Sequence, residues 1–206
     1  MNNQHKLFQI FKSGSFTAMD GRTLAFSESD LAMMASCYSP KIRQAPLVLG
    51  HPADDQPVFG EVGGLFAKDG ALYAQAAVSD NLVNLVRAKR YTTVSASFFM
   101  PNQPSNPTPG AYYLKHVGFL GAQPPAVKGM SPPAFSEYSG CAAFSEGCNL
   151  PQEFGLNAGF SVPPGYQIDP DRAVLHAIAT DYQRNCAGLS YAEAAQLAET
   201  VIYLNP

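Results

Sequence analysis

Only four histidines occur among the 206 residues, His5, His51, His116 and His176, and two of them bracket a pair of serines. His51 ends the apolar run in "APLVLGHPADD". Ser95 and Ser97 lie two apart in the uncharged "YTTVSASFFM", and His116 lies in "YLKHVGFLG". A serine hydroxyl is a poor nucleophile until a base takes its proton, and histidine is the base available near neutral pH. A third group must orient that base and stabilise its cation. Here that group would be a second histidine. Two other readings stand beside this one. Strand histidines are commonly satisfied structural residues, and serines at alternate strand positions are commonly a solvated face. A metal site is the other: His51, Asp54, Asp55 and His116 offer borderline and hard ligands. Against it, the chain holds no H-E-x-x-H motif, and Asp54-Asp55 sits in a Pro-flanked turn, where such pairs are common.

The elements that must position these residues are legible from pattern. "LFQIF" and "SFTAM" read as strands joined by a Gly-containing turn, and "DGR" at 20–22 is a turn. "SESDLAMMASCYSP", 27–40, reads as a helix capped by Ser27 or Ser29, with Leu31, Met34, Ala35 and Tyr38 on one face and Pro40 as its stop. "APLVLG", 45–50, is a short buried strand running into His51. Residues 58–79 form a hairpin about Asp69-Gly70. Ser79 or Asp80 then caps "NLVNLVRAKR", whose inner face is Leu82, Leu85 and Val86. The serine strand follows, then a Pro/Asn loop, then a strand within 111–121. On the serine strand both hydroxyls share a face, about 6.6 Å apart.

Composition shifts after residue 129. Residues 130–165 are rich in Ser, Gly, Pro and Ala, with "AFSE" at 134–137 and again at 143–146, and read as a flexible linker. The tail, 166–206, carries two helical stripes: Val174, Leu175, Ile178 and Tyr182, then Ala194, Leu197, Val201 and Ile202. Asp169-Pro170 starts the first, and Gly188 and Ser190 separate the two. They are either two packed helices or a partner-binding hairpin.

The totals exclude several classes. Apolar residues make 46% of the chain and charged residues 14%, with a net charge of −3. No basic cluster argues for nucleic acid. No apolar run is long enough to cross a bilayer, and the N-terminus lacks a secretory h-region and cleavage site, so a cytosolic protein is expected. Cys37, Cys141, Cys148 and Cys186 form no C-x-x-C pair. Cys141 and Cys148 could pair across their Gly/Ser-rich segment, but free thiols suit a cytosolic chain better.

The blocks "APLVLGHPADDQPVFGEV", "LYAQAAVSDNLVNLV", "YTTVSASFFMP" and "AYYLKHVGFLGAQPPAVKG" resemble the Mu-like phage protease I proteins. The upstream "FTAMDGR…FSESDLAMMASCYSP" fits as well, so the resemblance covers most of the first 130 residues. "YQIDPDRAVLHAIATDYQRNCAGLSYAEAA" is similar to the C-terminal part of such proteins. That family is similar in turn to tailed-phage prohead proteases and to herpesvirus assemblin. The resemblance implies an α+β fold, a partly closed and mainly antiparallel β-barrel with flanking helices, followed by the linker and a C-terminal helical hairpin. It implies a protease domain at 1–129 and a scaffold-like helical segment at 166–206.

The activity so implied is that of a head-maturation serine endopeptidase. His51 would be general base and His116 third member, where many phage relatives carry a carboxylate. The family motif is hydrophobic–Ser–x–Gly–aromatic. "Val94-Ser95-Ala96-Ser97-Phe98" fits with Ser95 as nucleophile and Ser97 where glycine is usual. That departure keeps Ser97 as the alternative nucleophile. No cofactor or metal is implied. Expected substrates are coat and scaffold proteins and the chain itself, inside the immature capsid in the host cytoplasm. Pairing as a homodimer fits the resemblance. The rival from another class is an inactive scaffold or capsid-assembly protein that keeps the protease fold.

Overall fold

Asp69 and Gly70 both adopt positive φ, 50° and 71°. That is the two-residue turn whose twist matches a right-handed hairpin. It joins β5 (Gly60–Lys68) to β6 (Ala71–Ser79) and sets their register, with Lys68 opposite Ala71. Around this hairpin the sheet grows outward. β1 (Asn3–Lys12) pairs with β6, and β4 (Ala45–Leu49) pairs with β5. β8 (Tyr113–Leu120) runs parallel to β4 and antiparallel to β7 (Thr93–Phe99). The order is β1-β6-β5-β4-β8-β7, with β2 (Gly14–Thr17) and β3 (Thr23–Phe26) forming a separate hairpin. The outermost strands curl towards each other: the rings of Phe11 on β1 and Phe98 on β7 lie 5.2 Å apart. Every neighbouring pair except β4–β8 is antiparallel, so the sheet is the expected mainly antiparallel, partly closed barrel.

The computed structural model describes residues 3–18, 21–121, 126–133, 135 and 170–204. The chain divides into two compact units, the first running to Phe135 and the second from Ser136 to Pro206.

Two helices flank the first unit's sheet. α1 (Glu28–Cys37) begins with a reciprocal cap, in which Ser27 Oγ accepts from Asp30 N at 3.2 Å and Asp30 Oδ2 accepts from Ser27 N at 2.7 Å. α2 (Asp80–Arg87) is capped by Ser79 and buries Leu82, Val83 and Val86. Val83 thus takes the place expected of Leu85, because the helix turns its 82, 83 and 86 positions inward and leaves 85 half-buried at the flank. The core is aromatic: Phe8, Phe119 and Phe135 meet at 5.5–6.0 Å, and Tyr38 lies 5.3 Å from Tyr113.

Phe135 belongs to this core, 2% exposed, and its carbonyl accepts from Arg87 Nε at 2.6 Å. Ser131 N donates to Gln9 Oε1 at 2.9 Å. The first residues of the Ser/Gly/Pro-rich stretch are therefore packed on the sheet. Residues 136–169, with Cys141, Cys148 and the second "AFSE", lie outside the described residues.

The second unit is a pair of helices, α3 (Pro170–Asn185) and α4 (Tyr191–Leu204). Ile178, Ala179 and Tyr182 are buried with Leu189, Ala194 and Ala198. Ser190 and Glu193 cap α4 reciprocally, at 3.3 and 2.8 Å. No helix among the described residues is long and apolar enough to cross a membrane.

Candidate active site

Two glycines bring the histidines together. β4 lies beside β8 with Val48 opposite Gly118, and Gly50 N donates to the Phe119 carbonyl at 2.9 Å. Gly50 then takes φ 70°, a conformation costly for side-chain-bearing residues, and turns the chain across the face of β8. It can cross there because Gly118 has no side chain. A Cβ on Gly118 would collide with the Gly50 carbonyl oxygen and stand 3.1 Å from His51 Cε1. His51 is thereby laid over β8 beside His116, two residues along the same face.

Gly118→Ala is accordingly expected to destabilise the fold by about 1–3 kcal/mol, the usual cost of forcing atoms into filled space. It should also push His51 off its partner. Thermal unfolding together with a cleavage assay checks both. Unchanged stability would show that the crossing is looser than its geometry.

His51 Nδ1 and His116 Nε2 are 2.7 Å apart, and His116 Nδ1 lies 2.5 Å from Asp55 Oδ1. A carboxylate only accepts, so His116 carries its proton on Nδ1 and leaves Nε2 as an acceptor. His51 must then donate from Nδ1, which leaves the lone pair on its Nε2. The chain of bonds has one direction and ends in a base.

Asp55 itself is held from two sides. Arg43 Nη2 lies 3.4 Å from Oδ2, and Lys115 Nζ lies 3.4 Å from Oδ1. Arg43 is fixed in turn. It donates from Nη1 to the Lys115 carbonyl at 2.9 Å and covers the Phe99 ring at 4.8 Å. The buried Tyr113 hydroxyl reaches the Ser39 and Arg43 carbonyls at 2.6 and 2.8 Å, shaping the loop that carries Arg43. Lys115 is the extra residue of a bulge in β8, where Ser97 pairs with His116 but Phe98 pairs with Leu114. Bulges re-aim side chains in this way.

Burial pushes the affinity of His51 for a proton below the ordinary value of 6.5, and the His116 and Lys115 charges push it the same way. His116 is also lowered, by burial above all, with the Asp55 hydrogen bond and charge opposing. His5 on β1 is lowered by burial. A base kept neutral near pH 7 is what proton abstraction needs. The acid limb of kcat/KM is therefore expected below pH 6.5, read from a rate profile between about pH 4 and 8. Stability should follow the same sign. Below pH 6.5 the unfolded histidines take up protons that the folded ones resist, so stability is full above that pH and falls as pH drops. Denaturant midpoints that rise towards acid would contradict it.

A cleft of about 500 Å³ opens over this chain of groups, with His51, Ser95, Ser97, Lys115 and His116 among its lining. Ser95 lies opposite Gly118 and Ser97 opposite His116. Directly opposed side chains in an antiparallel pair share a face, about 5 Å apart at Cβ. His51 covers the Gly118 position, the one that Ser95 faces across the strand pair. Among the described residues neither hydroxyl is hydrogen-bonded to a histidine ring.

All four singled-out residues therefore line one cleft, and His51 and His116 are in direct contact. Asp55, which the sequence offers only as a metal-ligand candidate, joins the two histidines in one chain of hydrogen bonds. Asp54 and Asp55 divide the work of their turn. Asp54 Oδ1 accepts from Gln56 N at 3.2 Å and shapes the loop, and Asp55, at φ 59°, turns inward to His116. Among the described residues no three His, Cys, Asp or Glu side chains are grouped to hold a metal ion. His5 pairs with Ala77 along β1–β6, and His176 contacts Tyr191 at 2.8 Å in the second unit; neither lines the cleft.

No protein-family model and no curated protein matches the sequence. Solved structures do. Kaposi's sarcoma-associated herpesvirus protease in complex with an allosteric inhibitor aligns with a TM-score of 0.50 and 12% identity, over 97% of this chain and 91% of that one. A second structure of that protease, with the allosteric inhibitor compound 250, gives 0.49 and 9%, over 96% and 89%. At such identities the likeness concerns the fold alone. The curled six-stranded sheet with its flanking helices and the C-terminal helix pair make this a herpesvirus-protease-like α+β fold.

Proposed function

We propose that this chain is a capsid-maturation serine endopeptidase of the Mu-like phage protease I kind. The observation that carries the reading is the directed chain Asp55–His116–His51, which leaves an unprotonated Nε2 in a cleft lined by Ser95. Ser95 Oγ attacks the scissile carbonyl as His51 Nε2 takes its proton. The resulting imidazolium keeps its Nδ1–H on His116, and the proton then passes to the leaving amine. Water, activated by the same nitrogen, hydrolyses the acyl-enzyme. The substrates are scaffold and coat proteins in an immature phage or prophage head, and the chain itself, with pairing into a homodimer compatible with this role.

A fluorophosphonate that phosphonylates activated serines tests the chemistry without a known substrate. Peptide mapping should find the adduct on Ser95 in the wild type and none in His51→Ala. An adduct on Ser97 instead keeps the class and moves the nucleophile. No adduct at all would favour the inactive assembly protein.

A further inference from the structure

A protonated His116 would undo the directed chain. Both of its ring nitrogens would then donate, His51 would accept at Nδ1, and the His51 proton would stand on Nε2 in place of the lone pair. Asp55 pulls in that direction, because a hydrogen-bonded carboxylate favours imidazolium and raises the proton affinity of His116. Lys115 opposes it. Its Nζ lies 3.4 Å from Oδ1, the same Asp55 oxygen that His116 Nδ1 touches at 2.5 Å. The bulge in β8 puts it there. In an unbroken strand, position 115 would share the face of Val117, which is fully buried. With the bulge, Lys115 and His116 both line the cleft although they are consecutive in sequence. The Lys115 carbonyl accepts from Arg43 Nη1 at 2.9 Å, and Arg43 Nη2 lies on the other Asp55 oxygen. The charged groups facing the two rings are thus Asp55 from the loop after β4, Arg43 from the loop before it and Lys115 from β8, two cations against one anion. Arg22, just ahead of β3, adds a further cation to the cleft lining. The Lys115 charge lowers the proton affinity of both rings.

We propose that Lys115 is a positioning residue of this site: from the bulge it neutralises the Asp55 oxygen behind His116, so that Asp55 orients the ring without holding it protonated. The carboxylate then sets the tautomer and the lysine sets the charge. This inference rests on the protease reading above.

The test removes the charge and restores it. Histidine ring signals of the full-length wild type, Lys115→Met, Lys115→Gln and Lys115→Arg are followed by NMR from about pH 4 to 8, and fluorophosphonate labelling of Ser95 is measured over the same range. In Lys115→Met and Lys115→Gln the His51 and His116 rings should take up protons at higher pH than in the wild type. The rings of His5 and His176, outside the cleft, should not move. Labelling at about pH 5.5, relative to about pH 8 in the same preparation, should fall roughly three- to tenfold in both neutral variants. Lys115→Arg should match the wild type in both readouts. With two neutral variants, poor folding of one leaves the other to decide. Ring titrations that do not move, a labelling ratio that does not fall, or an arginine variant that behaves like the neutral ones overturns the inference. No labelling of the wild type at any pH overturns the protease reading instead, and the ring titrations then decide the effect of the Lys115 charge on their own.

Discussion

Ser95→Ala is expected to lower peptide cleavage by about 10⁵–10⁶-fold, His51→Ala by a similar factor, and the double variant by no more than either. A nucleophile and its base act as one unit, so removing the second partner costs nothing further. Ser97→Ala should stay within about tenfold of the wild type, because the two hydroxyls lie about 6.6 Å apart and one imidazole cannot serve both in one pose. In the proposed mechanism the base is His51, whose ring covers Gly118, the residue that Ser95 faces across the strand pair. Intact-mass spectrometry of the purified chain over time, with rates on a cleaved peptide, reads all four variants beside the wild type. The register is wrong if Ser97→Ala is the dead variant, and the class is wrong if every variant behaves like the wild type.

Asp55→Asn should cost about 10³–10⁴-fold in kcat, more than Asp55→Ala. An amide has a single carbonyl oxygen, whereas in the native carboxylate Arg43 lies on Oδ2 and Lys115 and His116 share Oδ1. When that oxygen turns to Arg43, the NH₂ faces His116 Nδ1 and makes that nitrogen an acceptor. His116 must now donate from Nε2, His51 must accept at Nδ1, and the His51 proton moves to Nε2, where it blocks removal of the Ser95 proton. One atom exchanged at Asp55 reverses two rings. Alanine imposes no tautomer, so its loss should be nearer 10–100-fold. A merely structural role predicts the opposite order, since alanine deletes more contacts. Both variants also remove the carboxylate whose hydrogen bond and charge raise the proton affinity of His116, so that ring should take up its proton at lower pH than in the wild type.

Much of the fold is legible in the sequence, and the reasons are local. Ser27 and Ser79 announce α1 and α2, Asp69-Gly70 announces its hairpin, and Gly188 with Ser190 divides the tail helices, because each is a short-range rule about backbone groups and φ. That His51 and His116 act together is what the family resemblance implies. What sequence could not supply is anything set by the pairing of distant strands. The parallel β4–β8 contact brings position 50 onto position 118, and nothing in "GHP" or "HVGF" indicates it. Asp55 was masked by its neighbour, since Asp-Asp before Gln-Pro is ordinary turn chemistry and only one of the two carboxylates turns inward. Phe135 was assigned to the linker because its neighbours are small and polar. Its own ring, between Phe8 and Phe119, overrides them.

The bond between Asp55 and His116 also constrains how such a site can evolve. Position 116 is where a carboxylate could stand behind the base as readily as an imidazole. In this protein a lineage could not make that exchange in one step, because a new carboxylate there would sit against Asp55 in a poorly solvated setting, and like charges at that range resist ionising together. Loss of Asp55 first would leave His116 without a fixed tautomer. In the proposed mechanism the two positions are therefore locked to each other, and a change of the group at 116 passes through a weakened site or through both substitutions at once.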